Sequence, residues 1–321
     1  MKIIFSPGIS EAAWDIGQSL LPAGFTIEVL SANDEAERRR QLESADFFMG
    51  FRAGLRPGDY DHMKRIKLVQ VLSAGYDGID IEKLRKLKIP LANNGGANAY
   101  AVSEHAILLM LALYRKLPSL DRLVRGGQWK SSKLGQEAEH EVAGRTIGII
   151  GLGMIGKTVA RRLAGFEVKL LYTDPVRPSA EEAKKLNVTY REPDDLFREA
   201  DIITLHAPGD ATTHHMINAR TIGLMKREAV VINCARGELV DEKALYDALK
   251  SGRIAGAALD TFDPEPPKPD NPLFTLPNVI VTPHAAGPTW ESWPKRFGNS
   301  FENVQRVAQG EPPLWVVPEL R

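Results

Sequence analysis

Thr146-Ile147-Gly148-Ile149-Ile150-Gly151-Leu152-Gly153-Met154-Ile155-Gly156 is the stretch on which the fold turns. The first five residues are mostly apolar and read as a buried strand. They run into the pattern G-x-G-x-x-G, and 154–164 reads as the helix that follows. A second apolar run, 167–172, leads to Asp174, about 20 residues beyond the glycines. In such a strand–turn–helix, Gly151 permits the tight turn, Gly153 lets the backbone approach a pyrophosphate, and Gly156 lets helix and strand pack closely. The free N–H groups of the first helical turn, at Met154 and Ile155, attract phosphate. A carboxylate at Asp174 suits the ribose hydroxyls of adenosine and repels a 2′-phosphate, so NAD is expected ahead of NADP. Arg177, close by, softens that preference.

The same rhythm extends in both directions. Downstream, strands are expected at 201–206, 229–233, 254–259 and 279–282, with helices at 194–200 and 241–251. The segment 262–277 holds six prolines and reads as a stiff loop. Residues 290–308 read as a final helix. Upstream, 2–5, 26–30, 46–51, 68–72 and 90–93 read as strands, alternating with helices at 11–21, 34–44 and 81–88. Between the halves, 99–117 lacks Pro and Gly and carries Val102, Ala106, Leu109, Met110 and Leu113 at helical spacing, so one long buried helix is expected. Strands alternating with helix-sized segments make parallel sheets, and the expected class is α/β with two Rossmann-like domains.

Composition narrows the function classes. The chain has 321 residues, 43% hydrophobic and 26% charged, which suits a folded protein of two domains. Lys plus Arg and Asp plus Glu both number 41, so no long-range field is expected to gather nucleic acid or an acidic membrane. Cys234 is the single cysteine and excludes an intrachain disulfide. The apolar stretch 106–114 is far short of the roughly 20 residues that span a bilayer. A cytoplasmic protein without a metal site is expected.

Hydride transfer between a carbinol and a carbonyl needs a proton donor and acceptor, a cation to hold a carboxylate and polarise the carbonyl, and a well-placed nicotinamide. His284, in Thr282-Pro283-His284-Ala285-Ala286-Gly287, lies just past a strand, and histidine is a side chain suited to serve as acid in one direction and base in the other. Glu265 follows the strand that ends near Asp260 and suits a partner for the imidazole. Arg236, in Asn233-Cys234-Ala235-Arg236-Gly237, has the planar fork that grips a carboxylate with two hydrogen bonds. Ser73-Ala74-Gly75-Tyr76-Asp77-Gly78 follows another strand and reads either as an anion-binding nest of N–H groups or as a plain turn.

Segments 73–80, 98–105, 151–156, 172–174, 205–208, 233–241, 259–266 and 282–287 together resemble, in order along nearly the whole chain, the D-isomer-specific 2-hydroxyacid dehydrogenases. The resemblance implies that Arg236 binds the substrate carboxylate and carbonyl, that Glu265 supports His284, and that His284 is the acid and base. It implies that Ala74, Gly75 and Tyr76 offer N–H groups to the substrate carboxylate. It places Val102 and Asp260 near the nicotinamide and His206, Ala207 and Pro208 on the adenine side. Thr213, Cys234, Ala235 and Ala286 complete the implied cofactor contacts. The implied fold is a flavodoxin-like substrate domain of residues 1–97 and 286–321 into which an NAD-binding Rossmann domain, 98–285, is inserted. A homodimer through the NAD-binding domain is implied, with 99–117 and 120–129 in the interface.

There are departures. Asn93-Asn94-Gly95-Gly96 stands where many members have an Asn-x-Pro-Gly turn. Trp290, Trp293 and Pro294 occupy the start of the last helix, either shaping the pocket mouth or packing at the hinge. Arg52 is a candidate for a second anionic group of the substrate.

The expected partner is a small 2-keto or 2-hydroxy acid, with glyoxylate and hydroxypyruvate first. Formate dehydrogenases pair the histidine with glutamine, where Glu265 stands here. Many phosphoglycerate dehydrogenases carry an extra C-terminal regulatory domain, which is not expected. The alternative from another class is an NADH-sensing, co-repressor-like binding protein without turnover.

Overall fold

The computed structural model describes residues 1–51, 54–129 and 139–321. The chain divides into two compact units, Met1–Asn98 with Pro288–Arg321, and Ala99–Gly287. In the first unit, strands β1 (Lys2–Phe5), β2 (Thr26–Val29), β3 (Phe47–Gly50), β4 (Val69–Val71) and β5 (Leu91–Ala92) alternate with helices α1 (Glu11–Ser19), α2 (Glu35–Ser44) and α3 (Ile81–Leu87). All strand pairs are parallel, in the order β2-β1-β3-β4-β5. Each helix starts on a side-chain cap: Ser10, Asp34 and Asp80 accept from the N–H three residues on. Along β1, Ile3 and Phe5 enter one core layer and Ile4 the other, the period-two alternation of a sheet covered on both faces. Buried Arg38 is neutralised by buried Asp59 and also donates to the carbonyls of Ser31 and Gly54.

The second unit begins with α4 (Ala99–Tyr114) and α5 (Leu117–Arg125). Its strands are β6 (Thr146–Ile150), β7 (Lys169–Thr173), β8 (Val188–Tyr190), β9 (Ile202–Leu205), β10 (Val230–Asn233), β11 (Gly256–Leu259) and β12 (Val279–Val281). Its remaining helices are α6 (Met154–Leu163), α7 (Ala180–Leu186), α8 (Pro193–Glu199), α9 (Ala219–Leu224) and α10 (Glu242–Lys250). The sheet is parallel in the order β12-β11-β10-β9-β6-β7-β8. The order reverses between β6 and β9, the switch point where open α/β sheets place ligands at the strand C-termini. The chain then returns to the first unit with α11 (Ser292–Ala308), whose Phe297, Phe301 and Val304 fill the core layer of Ile3, Phe5 and Phe47.

Three sequence expectations are corrected. The single helix over 99–117 is two helices: Lys116 takes φ +50, and Pro118 sits in the first turn of α5, where its missing N–H costs nothing. The loop 262–277 contains a 3-10 turn, Pro272–Thr275, capped by the Asn271 side chain. The last helix begins at Ser292, so Trp290 lies outside it and is 66% exposed. Helices α7 and α9 and strand β8 were not anticipated. Leu186 is the one buried residue of α7, so hydrophobic periodicity is silent there; its signals are the Ser179 cap and, for α9, the capping box of Asn218 with Thr221. Among the described residues no helix is long and apolar enough to cross a membrane, and no cluster of three or more His, Cys, Asp or Glu is placed to hold a metal.

Candidate active site

The chain leaves β6 through Gly151 at φ +88, a conformation that disfavours any side chain. A Cβ there would lie 2.6 Å from the Ala207 nitrogen, so the loops after β6 and β9 meet only because the position is bare. A Cβ on Gly156 would lie 2.1 Å from the Gly151 oxygen. Gly153 caps α6 without any side-chain hydrogen bond, and the space where its Cβ would point is empty to 4 Å. Met154 is exposed and Ile155 half-buried in the same turn. An open approach, unpaired N–H groups and the positive end of a ten-residue helix fit the pyrophosphate of a dinucleotide. Asp174 follows β7, and its two oxygens accept from the N–H of Leu152 at 2.7 Å and of Val176 at 2.7 Å. The acid is thereby tied to the glycine loop. Arg177 stacks on Tyr190 at 3.7 Å and lies 3.8 Å from Glu192.

After β9, the His206 Nε2 pairs with the Thr204 hydroxyl at 2.9 Å, while Nδ1 is sealed without a partner among the described residues. Burial of the ring lowers its pKa to about 4, although the residue as a whole keeps some exposure. Ala207 is half-buried, and the Pro208 carbonyl accepts from the Thr213 hydroxyl at 2.7 Å, which folds this loop onto itself.

The ends of β10, β11 and β12 carry the chemical groups. Arg236 follows β10 in extended backbone, held by the Asn233 side chain, which donates to the Arg236 carbonyl at 2.7 Å and accepts from the Ala235 N–H at 3.0 Å. A Cβ on Gly237 would fall 1.9 Å from the Phe262 carbonyl carbon, so the Arg236 turn packs backbone to backbone on the loop after β11. That loop brings Glu265 to His284. The imidazole Nδ1 lies 2.9 and 3.1 Å from the two carboxylate oxygens, and the Phe262 N–H also donates to the carboxylate at 3.2 Å. A carboxylate only accepts, so Nδ1 carries hydrogen and Nε2 is left for chemistry. No described residue bonds that Nε2, and the side chain is 46% exposed. His284 itself sits at φ +52, an unusual conformation for a non-glycine residue. A cavity of about 290 Å³, lined by Phe262, Phe274, Pro266 and Thr282, flanks the pair.

Asp260 holds this turn. Wholly buried, it accepts from the Thr282 hydroxyl and from the N–H groups of Ala285 at 2.8 Å and Ala286 at 2.9 Å, while its carbonyl takes the His284 N–H at 2.8 Å. His105 of α4 adds a contact to the Thr282 hydroxyl at 3.1 Å and lies 3.5 Å from Asp260. Sequence reasoning passed over His105, Thr282 and Asn233; the one available signal was that polar residues at strand ends or on an apolar helix face need partners. Val102, Cys234 and Ala286 are buried in one core cluster, with Ala235 in its neighbour, and burial pushes the Cys234 thiol up, away from reactivity.

The first unit holds the remaining candidates. After β4, four successive carbonyls are engaged from within the unit. Leu72 accepts from Arg296 and Asn94, Ser73 from the Asn94 N–H, Ala74 weakly from the Asn93 amide, and Gly75 from the Ser73 hydroxyl. In a trans peptide the N–H points opposite to the C=O, so the N–H groups of Ser73 to Tyr76 are aimed the other way. Those of Ser73, Ala74 and Gly75 have no acceptor among the described residues. The Tyr76 hydroxyl reaches Glu319. Trp293 packs edge-on against Phe51, with ring centroids 6.3 Å apart. Arg52 lies outside the described residues.

Comparison with known proteins accords with this geometry. Residues 107–286 match the D-isomer specific 2-hydroxyacid dehydrogenase, NAD binding domain family. The chain is 39% identical to a glyoxylate reductase of Korarchaeum cryptofilum over 79% of this chain and 76% of that protein. It is 34% identical to a glyoxylate reductase of Pyrococcus furiosus over 97% of this chain and 95% of that one. Among solved structures, an NADPH-dependent glyoxylate/hydroxypyruvate reductase of Sinorhizobium meliloti, in complex with NADP and malonate, superposes with a TM-score of 0.84 at 27% identity, covering 99% of this chain and 97% of that one. These relatives favour turnover over the NADH-sensing, co-repressor-like alternative. The chain is a hydride-transferring oxidoreductase and belongs to the D-isomer-specific 2-hydroxyacid dehydrogenase family.

Proposed function

We propose that this enzyme reduces glyoxylate or a similarly small 2-oxo acid such as hydroxypyruvate, with NADH preferred over NADPH. The observation that carries the reading is the His284–Glu265 pair, with Nδ1 bonded at 2.9 Å and Nε2 unclaimed by any described residue. His284 donates the Nε2 proton to the carbonyl oxygen during reduction and recovers it from the hydroxyl in the reverse direction. Glu265 fixes the tautomer and balances the imidazolium. Arg236 grips the carboxylate and polarises the carbonyl through its fork. Ala74, Gly75 and Tyr76 offer backbone N–H groups that suit a carboxylate. Gly151, Gly153 and the first turn of α6 cradle the dinucleotide, whose nicotinamide supplies or accepts the hydride when bound. Val102, Cys234, Ala235, Asp260 and Ala286 wall the nicotinamide side, and His206, Ala207, Pro208 and Thr213 the adenine side.

The preference for NADH rests on Asp174. Its carboxylate is fixed by two backbone N–H groups where a 2′-phosphate would meet it, while Arg177 is engaged by Tyr190 and Glu192. The enzyme further assembles as a homodimer in the cytoplasm. In support, α5 has no buried residue yet carries Leu117 at 53% and Val124 at 51% exposure, with Leu108 of α4 at 53%. Water disfavours such a stripe unless a second surface covers it.

The test is NADH oxidation, followed by absorbance, across 2-oxo acids from glyoxylate to phenylpyruvate, with His284→Ala beside the wild type. Turnover of the small acids, and a loss of about 10²–10⁴ in kcat for His284→Ala with NADH binding intact, is the expected result. A wild type that binds NADH and reduces none of them overturns the proposal.

A further inference from the structure

Arg296 of α11 is 4% exposed, yet no carboxylate lies within ion-pair distance of it among the described residues. Arg38, equally buried in the same unit, shows the ordinary solution, since Asp59 neutralises it. Arg296 has instead the Leu72 carbonyl, which its Nη1 meets at 3.0 Å, and the face of Trp293, 5.2 Å from ring centroid to guanidinium. Its Nε is sealed without a hydrogen-bond partner among the described residues. Burial without a counter-charge pushes its pKa down to about 10, so it stays cationic at neutral pH. A buried, uncompensated cation is expensive, and its place in the fold points to what compensates it.

The peptide unit whose carbonyl Arg296 holds is the one that carries the Ser73 N–H. A cation on the carbonyl polarises that peptide and makes its N–H a stronger donor. Asn94 and Asn93 hold the next two carbonyls, and Asn299 of α11 in turn donates to the Asn94 carbonyl at 2.9 Å. Thus α11 governs the direction of the loop from behind, and only Arg296 adds charge. Residues 73–77 of the loop are half-exposed.

We propose that Arg296 is a positioning residue for carboxylate binding: through the Leu72 carbonyl it holds the Ser73–Gly75 N–H groups outward and lends them a positive charge that the substrate anion, rather than any protein carboxylate, neutralises. The inference rests on the proposed reduction of a 2-oxo acid. It goes beyond that reading by assigning part of the anion recognition to a buried side chain that touches no substrate.

The experiment compares glyoxylate with its neutral methyl ester in steady-state NADH oxidation by the wild type, Arg296→Gln and Arg296→Lys. Arg296→Gln keeps a donor for the carbonyl and removes the charge. Its KM for glyoxylate is expected to rise about tenfold, with kcat within about twofold and the ester's KM unchanged. Arg296→Lys restores the charge, and its acid-to-ester ratio of kcat/KM is expected to stay within about twofold of wild type. If Arg296→Gln does not fold, Arg296→Lys decides, because a collapsed ratio there contradicts the role of charge. Equal losses for acid and ester in Arg296→Gln, or no loss for either, overturn the inference and leave the proposed function standing. A wild type that reduces no 2-oxo acid overturns both.

Discussion

At the scale of single residues, the site depends on groups whose options have been narrowed by their neighbours. His284 has one ring nitrogen committed to Glu265, and its backbone is held by the Asp260 carbonyl. Glu265→Gln keeps a hydrogen bond but removes the charge that balances the imidazolium. A fall in kcat of at least about tenfold, with little change in KM, is expected in stopped-flow and steady-state reduction of glyoxylate. An unchanged kcat would reduce Glu265 to a scaffold. Asp174 tests the cofactor reading in the same way. Asp174→Ala is expected to weaken NADH and to narrow the NADH-to-NADPH ratio of kcat/KM by about tenfold. A ratio that stays put would move the source of preference elsewhere.

At the scale of elements, the strand ends are tuned by burial. The His206 ring, at the end of β9, has its pKa lowered to about 4 from an ordinary 6.5, so the unfolded chain takes up this proton first as pH falls. The sign follows: the neutral ring's contribution is complete above pH 6.5 and is lost progressively as pH drops towards 4. Between pH 7 and 4.5 the wild type is expected to lose about 2 kcal/mol that His206→Asn does not, a figure discounted for the residue's remaining exposure. Denaturant midpoints of the two proteins at both pH values measure the difference, and parallel losses would show that His206 is not the titrating group. The same burial explains why Cys234, at the end of β10, is inert packing and not a nucleophile.

At the scale of the whole molecule, two parallel sheets of five and seven strands each present their functional loops at strand C-termini. The exposed stripe on α5 sets an expectation for assembly. The wild type is expected to sediment as a dimer, and Leu117→Glu with Val124→Glu as a monomer that still binds NADH, because two charges in an apolar interface lose hydration with nothing to replace it. A double variant that remains dimeric would place the interface on another surface.

The sequence by itself determined the class of fold and most of the chemistry. The spacing of apolar runs demanded parallel sheets, and the glycine fingerprint with Asp174 needed only local geometry to be read, since turn, helix end and acid all lie within about 30 residues. The carboxylate and imidazole were legible as types. Their pairing was expected from the residue types and the family resemblance, but not its geometry, because Glu265 and His284 are 19 residues apart across a proline-rich loop whose path no periodicity describes. Helix α7 escaped because a surface helix with one buried residue leaves no apolar stripe. Only the tertiary structure decided that Asp260 braces the His284 turn with His105 behind it, and that Arg296 stands buried behind the Leu72 carbonyl with no counter-ion among the described residues. Burial and the absence of a partner are properties of packing, and a sequence records neither.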